Sequence, residues 1–287
     1  MRFGSLFAGI GGIDLGLEWA GMECAWQVEI DGYCQKVLAK HWPDVRRYQD
    51  VRECGQDNLE SVDLIAGGFP CQPHSVAGKR KGAADNRNLW PEFSRIVAEL
   101  RPRYVLAENV PGIITTYIDT VLSDLDDLGY TCATFGIPAV AFDAPHRRER
   151  IFIVAYAERP EWGTSKSSGN VRDGSDARWS EKAGWTGASG QDGGARDVAD
   201  SHGETKRHRH DGKGETFSRC VAPNETERKS ISDSKSWNAE PNVGRVAHGI
   251  SHRVDRLRGL GNAVVPQVAE WIGRRILEHA QAQRGER

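Results

Sequence analysis

Between Arg2 and about Ala157, short apolar runs alternate with stretches whose apolar residues recur every three or four positions. The runs FGSLF, AWQVE, VDLIAGG, YVLAENV, CATFGI and RIFIVAYA predict buried strands, each too continuous to leave one face in water. Ile13, Leu17 and Ala20 predict a helix that Gly21 closes; Leu89, Phe93, Ile96, Val97 and Leu100 predict a second. Ile118, Val121, Leu122, Leu125 and Leu128 predict a third, ending at Gly129. Strands and helices in alternation imply an α/β fold, a doubly wound and mostly parallel sheet. In such sheets, ligands sit at the carboxyl ends of the strands.

The pattern fails from Glu158 to about Glu240, where Val171, Val198, Phe217, Val221 and Ile231 are the only Val, Ile, Leu, Phe or Met residues. Gly, Ser, Asp and basic residues dominate there, with Trp162, Trp179, Trp185 and Trp237 among them. So few apolar side chains recover little of the entropy lost on ordering, and part of this segment is expected to be flexible in the absence of a partner. Periodicity returns with Val268, Ile272 and Ile276 in a last helix. Residues 1–157 and 245–287 are therefore expected to build one domain, with 158–244 inserted into it.

Composition narrows the class. The chain has 287 residues, 38% hydrophobic and 27% charged, in the range of a water-soluble globular protein. No apolar stretch is long enough to span a bilayer and the N-terminus lacks a secretory apolar segment, so a cytoplasmic protein with no membrane contact is expected. Six cysteines form no C-x-x-C pair, which suggests neither a zinc knuckle nor a disulfide framework; no metal is expected. A net charge of −2 gives no overall attraction to nucleic acid, so any such partner must meet local basic patches.

Candidate chemistry gathers at the predicted carboxyl edge. SLFAGIGGIDLG is a glycine turn between strand and helix, where Gly9, Gly11 and Gly12 allow a ligand close to the backbone. Asp14 stands where G-x-G-x-x-G has its third glycine, which disfavours a nicotinamide dinucleotide and hence an oxidoreductase. Glu29, ending the second strand, can accept from ribose hydroxyls, and Asp50 from an adenine amino group; together they describe a nucleoside pocket. Cys71, on a turn after VDLIAGG, is placed like a nucleophile, whereas Cys24 and Cys132 lie within apolar runs. Glu108 ends another strand and is a candidate acid. Arg148 and Arg150, two apart at the start of a strand, can face one side.

In this order, LFAGIGG, Glu29, Asp50, GGFPCQPHSVAGKRKG, LWPEFSRIV, ENVPG, HRRERIFIVA and GLGNAVVP resemble the DNA (cytosine-5) methyltransferase family, over residues 3–157 and about 245–280. The resemblance implies a sheet of the S-adenosylmethionine-dependent methyltransferase type, that cofactor, and S-adenosylhomocysteine as product. It implies that the Cys71 thiolate adds to cytosine carbon-6, that Glu108 acts at ring nitrogen-3, that Arg150 holds oxygen-2 and that Arg148 orders the thiol loop. Phe7 would pack on the adenine, Pro70 and Leu89 would lie near the cofactor, and Asn262 would shape its pocket. The target cytosine would be flipped from the duplex.

The family's target-recognition region falls on the insertion. Ser75, the basic residues Lys79, Arg80, Lys81 and Arg87, and Arg253 and Arg256 are the expected contacts to double-stranded DNA. This chain has Ser5 where many relatives carry Asp, and His146 where Gln is frequent. The resemblance also implies a monomer of bacterial or phage origin, and admits a cognate restriction endonuclease as a second partner. A tRNA cytosine methyltransferase and a non-catalytic nucleic-acid-binding relative are the alternatives.

Overall fold

A computed structural model describes residues 1–70, 88–157 and 253–285. Seven strands form one sheet: β1 (Arg2–Leu6), β2 (Glu23–Val28), β3 (Arg46–Tyr48), β4 (Leu64–Gly68), β5 (Tyr104–Asn109), β6 (Tyr130–Pro138) and β7 (Glu149–Ala157), in the order β3-β2-β1-β4-β5-β7-β6. The first five run parallel; β7 pairs antiparallel with both β5 and β6. The sheet is thus mostly parallel, as the alternation predicts, with one reversed strand that periodicity does not reveal.

Successive side chains in a strand point to opposite faces, and here both faces are covered. Leu64 and Ala66 of β4, Tyr104 and Leu106 of β5, and Phe152 and Val154 of β7 face one layer. It contains α1 (Gly12–Trp19) and a last helix, called α6 (Pro266–Gly285). Ile65, Val105, Ala107, Ile151 and Ile153 face the other, built on α3 (Trp90–Leu100) and α4 (Ile118–Asp127). Trp90 Nε1 joins these two helices by donating to Asp124 Oδ2 at 2.7 Å.

Helix α1 and α6 pack backbone to backbone: a methyl on Gly16 would lie 2.3 Å from the Pro266 carbonyl oxygen, and one on Gly273 2.9 Å from the Ala20 Cβ. Gly21 and Gly129 close α1 and α4 in the left-handed region, as their positions predict. The pattern does not predict α2 (Gly32–His41), β3, or α5 (Arg253–Asn262). Among the described residues no helix is long and apolar enough to cross a membrane. The insertion and its expected flexibility lie outside the described residues.

Candidate active site at the carboxyl edge of the sheet

The parallel strands end on a common cavity of about 460 Å³. Phe7, Gly9, Gly12, Glu29, Asp50, Pro70, Leu89 and Asn262, all expected near the cofactor, line it together with Glu108 and Arg150. Gly11 does not line it. Its φ of 84° instead supplies the left-handed N-cap of α1, packed against the Trp42 ring.

Glu29 is held by backbone. Its Oε2 accepts from the Gly9 amide and its Oε1 from the Asp31 amide, both at 2.7 Å, which ties the glycine turn to the start of α2. Burial raises its pKa, and those amide bonds act against the rise. Asp50 precedes a short 3-10 turn, Val51–Glu53, and caps it by accepting from the Arg52 amide at 3.0 Å.

Glu108 lies across the cavity, 8% exposed, at the end of β5. Arg150 Nε is 3.0 Å from its Oε1, because the antiparallel pairing of β5 and β7 brings the end of one strand beside the start of the other. Desolvation pushes the Glu108 carboxyl up to about 7, against the pull of Arg150 and Arg148. Gly68 leaves the space this carboxyl needs; a methyl there would lie 2.6 Å from Glu108 Oε2.

Arg148 braces rather than lines the cavity. Its Nη2 donates at 2.6 Å to the carbonyls of both Gly261 and Ala263, on either side of Asn262. Arg253 opens α5 and Arg256 is exposed on it. Cys71, Ser75, Lys79, Arg80, Lys81 and Arg87 lie outside the described residues. Pro70, immediately before the cysteine, is at the cavity wall.

Ser5 does not reach the cavity. It is buried, and its hydroxyl donates to Asp14 Oδ2 at 2.9 Å while Gln27 Nε2 donates to Asp14 Oδ1 at 2.8 Å. Burial raises the Asp14 carboxyl to about 6. The residue that breaks the dinucleotide pattern is therefore an internal polar anchor beneath the glycine turn. His146 is exposed on the β6–β7 connection.

Sequence reasoning did not single out Asp31, which lines the cavity, caps α2 through the Tyr33 and Cys34 amides, and pairs with Arg258 of α5. An Asp just ahead of GYCQKVLAKH is an N-cap signal that could have identified it.

The model of a family described as C-5 cytosine-specific DNA methylase matches residues 1–246. The type II methyltransferase M.Eco47II of Escherichia coli is 40% identical over 158 residues, covering 52% of this chain and 38% of that protein. M.HhaI of Haemophilus parahaemolyticus is 32% identical over 161 residues, 54% of this chain and 49% of that protein. M.BsuFI of Bacillus subtilis is 34% identical over 173 residues, 58% and 42%. The chain thus spans less than half the length of each of these relatives.

Proposed function

The chain belongs to the C-5 cytosine-specific DNA methylase family, and we propose from that premise that it methylates carbon-5 of a flipped cytosine within a specific duplex DNA sequence. The observation that carries the reading is the pairing of buried Glu108 with partly buried Arg150, opening onto the same cavity as Glu29 and Asp50. A carboxyl that titrates near neutrality and a guanidinium suit the edge of a pyrimidine; two fixed carboxylates beside a glycine turn suit a nucleoside.

The residues fit S-adenosylmethionine. Gly9, at φ 56°, opens the turn to a ligand, Glu29 and Asp50 offer acceptors to ribose and adenine, and Phe7 and Leu89 offer apolar surface. When bound, that cofactor supplies an electrophilic methyl group on a sulfonium.

The chain's own residues do the rest. The Cys71 thiolate adds to carbon-6, and protonated Glu108 gives its proton to nitrogen-3, so that the charge pushed into the ring is neutralised and carbon-5 becomes nucleophilic. Arg150 holds oxygen-2 and keeps Glu108 oriented. Once carbon-5 has taken the methyl, its proton leaves to a base, the 5,6 double bond re-forms, and the thiolate is expelled as nitrogen-3 returns its proton. Arg148 fixes the Asn262 side of the cofactor pocket while the thiol loop acts. Residues 158–244 would read the sequence, with Arg253 and Arg256 on phosphates.

Duplex DNA carrying 5-fluorocytosine at the target tests this reading, because fluorine cannot leave as a proton does. A complex stable to denaturation should form with wild type and be absent with Cys71→Ala. Trapping that persists in Cys71→Ala removes Cys71 as the nucleophile. Bisulfite sequencing of DNA from expressing cells would report activity and target together; methylation of tRNA but not duplex DNA would overturn the choice of substrate.

A further inference from the structure

Arg95 lies on α3, outside the cavity, yet its guanidinium makes four hydrogen bonds. Its Nη2 donates to the Val51 carbonyl at 3.1 Å and to the Cys54 carbonyl at 2.8 Å, one at each end of the turn that follows Asp50. Glu92 at 2.9 Å and Glu99 at 2.7 Å hold the guanidinium from the preceding and following turns of α3. Glu99 also accepts from the Gln56 amide at 3.1 Å, so a single helix face grips the 51–56 segment at three backbone points.

The segment's other side-chain hydrogen bonds are local, while Val51 and Cys54 are buried in the apolar layer that holds α3. Asp50 caps Arg52, the Cys54 thiol donates to the Asp50 carbonyl at 3.3 Å, and Asn58 bonds Gly55 and Glu53. The α3 grip ties this part of the cavity lining to the helix that begins beside Leu89. Leu89, at the head of the same helix, lines the cavity as Asp50, Val51 and Arg52 do.

We propose that Arg95 is a positioning residue for adenine recognition, holding the 51–54 turn so that Asp50 presents its carboxylate to the ring's amino group. This rests on the cofactor reading above. Arginine is required because its planar fork reaches two carbonyls and two carboxylates at once, which one ammonium cannot do.

Calorimetric binding of S-adenosylhomocysteine, and of the analogue with hypoxanthine in place of adenine, tests it on the full chain. Wild type should prefer the adenine compound. Arg95→Met and Arg95→Lys should weaken its binding roughly 10-fold, change the hypoxanthine analogue's less, and so narrow the preference. The effect of Asp50→Ala on adenine binding should shrink in the Arg95→Met background, since both act at one contact. Folded variants with an unchanged preference, additive losses, a wild type indifferent to the amino group, or variants that both fail to fold would each overturn the proposal. A wild type that binds neither compound removes the cofactor reading itself, and this inference with it.

Discussion

Two glutamates close strands of the same sheet, half-buried Glu29 after β2 and buried Glu108 at the end of β5, and they are held by different partners. Glu29 spends both oxygens on backbone amides, which fix it in place and oppose, without cancelling, the rise in pKa that burial causes. Glu108 has a guanidinium on one oxygen and little water, and burial outweighs that partner. The first is a stationary acceptor; the second stores a proton. The difference comes from position: a loop leaving a parallel strand can aim amides at Glu29, whereas Glu108 sits within a ladder whose amides are already paired to β4 and β7.

The sharpest way to break this contrast is Glu108→Gln, which keeps shape and loses the proton. Single-turnover methylation should fall roughly 10²–10⁴-fold with the fold retained by circular dichroism. In wild type, the step that needs protonated Glu108 should weaken as pH rises through about 7, and the variant should lack that dependence.

Stability should move the other way. A carboxyl raised from its ordinary 4.5 to about 7 keeps, in the folded chain, a proton that the unfolded chain has released. The stability it lends is full below 4.5 and is lost as pH rises through 7. Urea unfolding should find Glu108→Gln more stable than wild type at pH 8, by on the order of 3 kcal/mol, with the two converging toward pH 4.5. A gap of the same size at both pH values would show that Glu108 does not titrate with folding.

Glu29→Gln puts an amide N–H₂ where one backbone N–H needs an acceptor. S-adenosylhomocysteine binding should weaken roughly 10- to 100-fold while the pH profile of the chemical step keeps its shape. A shifted profile would mean the two glutamates are not separate devices.

The smallest effect is expected at Arg52, whose Nη1 lies 3.4 Å from Asp50 with half the side chain exposed. Arg52→Ala should change stability by less than about 1 kcal/mol and affinity by less than about twofold. A larger loss in calorimetry would show that the side-chain pair, and not the backbone cap, orients Asp50.

Most of this frame was legible in the sequence because buried parallel strands are continuous apolar runs and active-edge residues follow them directly. Glu29, Asp50, Glu108 and Arg150, up to 121 positions apart in the chain, meet on one cavity for that reason. What was not legible depends on contacts that leave weak local patterns. Helix α2 buries only Cys34 and Leu38 of its ten residues, and β3 is a three-residue edge strand with two arginines. The direction of β7 is set by its neighbours, not by its composition. Asp14 looked like a broken motif until Ser5 and Gln27, on two adjacent strands, proved to be its partners. Arg95 is an ordinary amphipathic-helix arginine in sequence; only the fold places two carbonyls from a turn about 40 positions earlier under its guanidinium.

The close packing of α1 against α6 has a consequence for how the protein is made. Roughly 250 residues separate the two helices, so at about 5–20 residues per second a ribosome emits the glycine turn and its helix roughly 12 to 50 s before their cover exists. Throughout that interval Ile13 and Leu17, both buried in the finished fold, have no α6 to shield them. For that interval the nascent chain carries this helix without its cover, and the cavity's glycine wall sets only when residues 264–273 reach Gly12, Gly16 and Leu17.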